Sequence, residues 1–556
     1  MKRVLLIFSI VCMLCALSAC QTNEEANKGG ATPVVYENVV DIALSDSGIT
    51  VAGAPIGTDS ASAVYAANDI VYYEAGKDFT YGEGAESEAH TAEQAAAHTV
   101  VHITKAGTYR IEGKLSKGQI AVDLGENAKK DPSAVVTLVL NGTDITCEVA
   151  PAVIFYRVYE CGSTDAEGAT RDVNTDAAGA NVIIADGSEN VVNGSHVARI
   201  YKPGTVVLNA DGTAVEDAKK LHKYDAAFYS KMTMNVNGEP QGTGKLTIKA
   251  DNEGLDSELH LTVNGGIIDI YSGNDGINTN EDGISVTTIN GGELTLTVTG
   301  KTGEGDGIDS NGWLVINGGT VKAYACAASG DAGIDSDLGI YINGGTVIAT
   351  GNMLDKIAGA AQNCAIFQFT QRQSAGSKVA LKGCDVPEIE LKNDCSILIV
   401  SAPELKTGSC ELYVNDVQYG AAQDGAMGGF GGMMPDGTSP EMPEGQPPTD
   451  MQGGQQPQMP EGQQPPEVPE GGMQPPENGG MGQGGRPNMQ GNAATELSVK
   501  FEIREGVNTF NAVSEYTGGN GNIVWIVVIC AVVAGLAAYA AVVTVKLLKN
   551  KKSTVE

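Results

Sequence analysis

One turn phrase recurs four times at nearly constant spacing: Asn264-Gly265-Gly266, Asn290-Gly291-Gly292, Asn317-Gly318-Gly319 and Asn343-Gly344-Gly345. Asn237-Gly238 is a shorter copy upstream, and the steps between the Asn residues are 27, 26, 27 and 26. A second phrase alternates with the first: Gly254-Leu255-Asp256-Ser257, Gly276-Ile277-Asn278-Thr279, Gly307-Ile308-Asp309-Ser310 and Gly333-Ile334-Asp335-Ser336. A period in the twenties, built from short β-rich segments and glycine turns, predicts a solenoid whose repeats bury their apolar sides by stacking. The 556 residues therefore need no series of globular domains, because one elongated all-β body absorbs most of them.

Alternation within the repeats assigns inside and outside. Four residues after each turn Asn stand Ile268, Leu294, Val321 and Val347, and six after stand Ile270, Leu296, Ala323 and Ala349. These positions predict inward apolar columns, with Asp269/Tyr271, Thr295/Thr297, Lys322/Tyr324 and Ile348/Thr350 facing outward. Because neighbouring strands lie about 4.8 Å apart, each repeat position becomes a column along the solenoid.

One such column is Asp256, Asn278, Asp309, Asp335, with Glu253, Asp275, Asn280, Glu281, Asp282, Asp306, Asp331 and Asp337 around it. Between Asp251 and Asp337 there are 15 acidic residues against Lys301 and Lys322. Carboxylates stacked at coil spacing repel one another and take up protons unless a cation neutralises them. Hard oxygen donors without Cys or His point to Ca²⁺, although Asp and Asn also close turns by bonding to the backbone. Two familiar calcium loops do not fit. Asn278-x-Asn280-x-Asp282-Gly283 opens like an EF-hand, but position 12 is Ile289. Gly303 to Ile308 resembles a nonapeptide β-roll, yet the period is 26 or 27.

The formal charge of −33 sets nucleic-acid binding aside, since such a surface repels phosphates and attracts cations. Residues 1–19 read as a secretory signal: Lys2-Arg3, then an apolar run, then Leu17-Ser18-Ala19. The Leu-Ser-Ala-Cys ending resembles the lipobox of bacterial lipoproteins, which implies cleavage before Cys20 and acylation of its thiol. After a tether (20–35), coils are expected over 36–420, with insertions at 162–180 and 209–224. Residues 421–494 hold thirteen of 21 prolines and nine of 14 methionines, a composition expected to stay disordered. The alternation of Leu497, Val499, Phe501 and Ile503 predicts that 495–516 carries a strand returning to the last coil. Residues 523–545 are uncharged and long enough to span a bilayer, and the lysines that follow place a tail (546–556) in the cytoplasm. The expectation is a body on the extracellular face of a bacterial membrane, held at both ends.

Ala106 to Gly113, Leu138 to Thr146, Ala227-Phe228-Tyr229-Ser230-Lys231 and the two repeat phrases together resemble a bacterial family of carbohydrate-binding parallel β-helix proteins. That family includes cell-surface proteins that bind cellulose and polygalacturonate, and it belongs to the pectate-lyase-like superfamily. The resemblance implies a right-handed parallel β-helix and calcium along the Asp-bearing turns. Carried onto this chain, the metal candidates are Asp256, Asp275, Asn278, Asp306, Asp309 and Asp335. The pattern departs at Asn278, where other copies have Asp, and at Ala332, where Asp275 and Asp306 stand in earlier copies.

Three function classes remain. A non-catalytic module would bind an acidic glycan or cellulose, with calcium bridging to sugar carboxylates and Tyr271, Trp313 and Tyr324 stacking on pyranose rings. A calcium-dependent polysaccharide lyase needs a base beside the metal. No arginine occurs between Arg199 and Arg372, which leaves Lys245, Lys249, Lys301 or Lys322 for that role. A structural stalk or adhesin would use calcium only to stiffen its coils.

Overall fold

The computed structural model describes residues 34–422 and 497–516. The signal peptide, Cys20, most of the tether, nearly all of 421–494, the apolar stretch 523–545 and the tail lie outside the described residues. Among the described residues no helix is long and apolar enough to cross a membrane. The protein is all-β. The described helical pieces are Ala92–Ala96, whose capping box is made by Thr91 and Gln94, and the single turns Glu86–Glu88 and Ala128–Lys130.

Parallel pairing between successive repeats builds three ladders. The first runs through Val40–Leu44, Gly107–Leu115, Val136–Thr146, Ala180–Ile184, Met234–Gly238, Leu261–Val263, Val286–Ile289, Trp313–Ile316 and Gly339–Ile342. The second lies just after the Asn-Gly-Gly turns and includes Lys245–Ala250, Ile267–Ser272, Glu293–Val298, Thr320–Tyr324 and Thr346–Gly351. The third joins Thr99–Ile103, Gly118–Asp123, Val153–Arg157, Ala226–Ser230, Glu253–Ser257, Ile277–Thr279 and Ile308–Ser310.

The turn phrase works through its side chain and its backbone. Asn264 donates to Asn237, Asn290 to Asn264, Asn317 to Asn290 and Asn343 to Asn317, each amide Nδ2 reaching the preceding Oδ1 at 2.8–2.9 Å. Gly266, Gly292, Gly319 and Gly345 all take φ between 78° and 95°, a region that a side chain disfavours. The expected inward columns are fully buried, from Ile268 and Leu294 through Ala349. Each large member of such a column contributes roughly 1.5–3 kcal/mol by leaving water.

Two excursions leave the coils. Residues 162–176 pack outside the first ladder, with Thr175 Oγ1 2.7 Å from Thr262 Oγ1 and Arg171 over the Tyr341 ring at 4.1 Å. The second begins earlier than the expected 209, because Val197–Tyr201 already pairs antiparallel with Lys220–Tyr224.

Parallel coils were expected to reach residue 420, and here the structure differs. Beyond Ala360 the described strands pair mostly antiparallel, beginning with Cys395–Ser401 against Thr346–Gly351 and Cys364–Gln373. A second core forms around Phe367, Leu398, Leu412 and Phe501. Phe501–Ile503 pairs with Gly408–Cys410, and Val507–Glu515 runs beside Cys364–Gln373 and Val417–Ala422. This bundle lies over the outward side of the last repeat of the second ladder, which is why Ile348 and Thr350 are buried rather than exposed. The seven cysteines among the described residues are free thiols.

Candidate metal centre

The third ladder positions the acidic column through the Gly-Ile-Asp-Ser phrase. Leu255, Ile277 and Ile308 pair in register and are buried in the core, so the next residues, Asp256, Asn278 and Asp309, stack in register beside them. Ile334 bridges to Ile308 and carries Asp335 into the same line. Glycine before each apolar residue lets the coils close up: a Cβ at Gly276 would stand 2.5 Å from the Gly307 carbonyl oxygen. Three residues before the first three column members come Glu253, Asp275 and Asp306, a second acidic file that ends at Ala332.

These files make two clusters. In the first, carboxylate oxygens of Asp225, Glu253 and Asp256 lie within 4.8 Å of one another, and all three residues are buried. Asn280 Nδ2 donates to both oxygens of Asp256, at 2.8 and 2.9 Å. Asn278 Nδ2 donates to Glu253 Oε1 at 3.2 Å and to Asn280 Oδ1 at 3.0 Å. Lys223 Nζ lies 2.7 Å from Asp225 Oδ2. Two buried oxygens remain without a partner, Glu253 Oε2 and Asn278 Oδ1. Burial, followed by the neighbouring charges of Asp256 and Asp225, pushes the Glu253 carboxyl well above the usual range. Burial and Asp225 do the same to Asp256.

The second cluster joins Asp306, Asp309 and Asp335 within the same 4.8 Å, and it is half-buried. Asp306 Oδ1 accepts the Ala332 N–H, and Asp275 Oδ1 accepts the Asp306 N–H at 2.7 Å. Burial first, and Asp275 second, raise Asp306 to about 9. Burial and the facing carboxylates raise Asp309 and Asp335 to about 6 each. Asp275 is raised well above its ordinary value by burial and by Glu253.

The donor set fits a hard divalent cation. It is all oxygen, it contains more carboxylates than its hydrogen bonds neutralise, and two buried oxygens lack partners, which is costly in a dry site. Asp225, Glu253, Asp256 and the Asn278 carbonyl would hold a Ca²⁺ ion in the first cluster; Asp306, Asp309 and Asp335 would hold one in the second.

The six expected ligands thus divide: Asp256 falls in the first cluster, Asp306, Asp309 and Asp335 in the second, with Asn278 and Asp275 bordering them. Sequence reading missed Asp225. It precedes a strand in which Tyr229 stands where the column later has Asp256, so no repeat phrase marks it.

The expected sugar-stacking residues do not form one surface. Tyr271 is 44% exposed on the second ladder, whereas Trp313 is half-buried on the first. Tyr324 is a correction: it is 2% exposed and cannot stack on a glycan. Asn393 Nδ2 bonds to the Val298 and Ala325 carbonyls at 2.8 and 2.7 Å, drawing residues 390–393 across the ring. The expected lysine bases also stand elsewhere. Lys245 pairs with Asp269 at 2.7 Å on the second ladder, and Lys249 and Lys301 line a separate hollow beside Cys147. A cleft of about 340 Å³ adjoins the first cluster and is lined by Lys220, Lys223, Asp225, Tyr229 and the turns at Asn280 and Asn311.

A family model described as carbohydrate-binding domain-containing protein matches residues 97–386. No curated protein matches the chain. Among solved structures, the polysaccharide lyase-like protein from C. thermocellum, a gadolinium derivative, aligns at 17% identity with a TM-score of 0.27. That alignment covers 54% of this chain and 90% of the other.

Proposed function

We propose, from the premise that this chain belongs to the family of carbohydrate-binding domain-containing proteins, that it is a non-catalytic polysaccharide-binding protein that uses calcium. The three ladders are read as a right-handed parallel β-helix, and the ligand as an acidic or plant cell-wall polysaccharide. The family match supports the carbohydrate part. The calcium part rests on one observation, the buried carboxylates of Asp225, Glu253 and Asp256 with unpartnered oxygens on Glu253 and Asn278.

Bound calcium would supply a positive charge that a sugar carboxylate joins directly. Asp256 and Glu253 would keep the ion at the third ladder, and Asn280 orients Asp256 through both its oxygens. The lysines nearest the cluster are engaged as cations, Lys223 with Asp225 and Lys220 with Glu258. Charged lysines do not abstract protons, which favours binding over elimination. Attachment at the extracellular face of a bacterial membrane, by the Cys20 lipid and a helix at 523–545, is part of the same reading.

The test uses residues 34–516, since a fragment ending at 420 would lose Phe501–Ile503 and Val507–Glu515. Mixed with polygalacturonate and Ca²⁺, this protein should stay on the polymer in a pull-down, release with EDTA, and form no unsaturated product by ultraviolet absorbance. Steady product formation abolished by EDTA would establish a lyase instead. Neither retention nor product, with a large EDTA-induced fall in Tm, would leave a calcium-stiffened stalk.

A further inference from the structure

We infer that Lys223 is the resident counter-ion of the buried cluster, displaced by a bound cation into the adjoining cleft, where it holds the carboxylate of an acidic sugar. The inference rests on the calcium reading above.

The hairpin strand Lys220–Tyr224 ends at the cluster, so Lys223 and Asp225 arrive together, two residues apart. Lys223 Nζ sits 2.7 Å from Asp225 Oδ2, and among the described residues neither Glu253 nor Asp256 has an ion pair. Asp225 is buried, whereas the Lys223 side chain is 44% exposed and opens onto the 340 Å³ cleft. A divalent cation that draws in the Asp225 carboxylate repels an ammonium at that distance. The lysine stem is long and flexible, so the head swings outward without backbone movement.

The cleft is then electrically lopsided. Its inner end would carry the metal and the released Lys223, while Lys220 beside them is already paired with Glu258 at 3.7 Å. Its outer rim carries Glu281 and Asp282, which accept hydroxyl hydrogen bonds. Its size lies in the range of small-ligand clefts, roughly 300–1,000 Å³. A sugar acid matches this arrangement, carboxylate inward and hydroxyls outward.

Calorimetric titration of residues 34–516 with CaCl₂, and then with trigalacturonate at saturating calcium, tests the exchange. Lys223→Met should bind calcium roughly five- to tenfold more tightly, the lower range of coupling between sites, and bind trigalacturonate more weakly by a similar factor. Lys223→Arg, which keeps the competing charge, should resemble the parent in calcium affinity. A merely structural lysine would weaken both ligands on removal, and that result, or unchanged calcium affinity in Lys223→Met, would overturn the inference. Tighter calcium with unchanged trigalacturonate would overturn the cleft assignment. If the parent protein takes up no calcium, the calcium reading itself falls, an outcome distinguishable from the others because no variant is needed to see it. Melting curves in EDTA establish that each variant is folded.

Discussion

The two acidic clusters are built from one repeat phrase, yet they differ in burial and in compensation. Asp225, Glu253 and Asp256 are buried, carry an ammonium from Lys223, and leave two oxygens unpartnered. Asp306, Asp309 and Asp335 are half-buried, and their compensation comes from backbone N–H groups such as that of Ala332. The segment that ends the hairpin 197–224 brings Lys223 and Asp225 to the first cluster, and the second cluster has no such addition among its three carboxylates. A repeat therefore sets which groups stack, while an insertion adds the groups that compensate them. The buried cluster should bind a cation more tightly and suffer more without one.

The largest effect expected from this contrast is at the first cluster. Glu253→Gln should lower calcium affinity beyond the ~10–100-fold typical of partners outside the metal's own ligands, and the same substitution should raise Tm in EDTA at high pH, where the carboxyl it replaces would ionise against Asp256 and Asp225. Asp335→Asn should act in the same directions but more weakly, as fits a half-exposed site. Equal responses from the two variants would erase the distinction.

The second effect is on pH dependence. Asp309 and Asp335 titrate near 6 and Asp306 near 9 in the folded protein, above their unfolded value near 3.8. A raised carboxylate makes the folded state bind more protons than the unfolded one, so the contribution of these three groups to stability is greatest at low pH and falls as pH rises from about 4 toward 9. Denaturant curves of the metal-free protein should show stability falling across that range, and saturating calcium should flatten the fall.

His196 supplies an internal control. Burial depresses its charged form, but hydrogen bonds and charge from Asp251 and Glu88 outweigh this and lift it to about 9. Its stabilising contribution is complete below about 6.5 and lost as pH rises through about 9. That loss should persist in calcium and vanish in His196→Gln.

The smallest effect belongs to the Asn ladder. Asn290→Ala removes one accepted and one donated amide bond at an exposed turn, so it should cost about 1 kcal/mol and leave both calcium affinities unchanged.

Much of this is legible in the amino-acid sequence. The inward columns at Ile268, Leu294, Val321 and Val347 follow from strand alternation, and the stacking of Asp256, Asn278 and Asp309 follows from the period. Tyr324 and Asp225 were not legible, for one shared reason. Tyr324 is covered by residues 390–393, and Asp225 is brought in from outside the marked repeats, so both depend on contacts between segments far apart in the chain.

The amino-acid sequence by itself determined that the protein is all-β, that its repeats stack in register, and that acidic residues form a column, because each follows from local periodicity. Tertiary structure alone decided where the parallel coils give way to antiparallel strands and which carboxylates share a cluster. It also decided which of them meets Lys223. Burial and electrostatic compensation are properties of what packs against a residue, and no spacing along the chain records them.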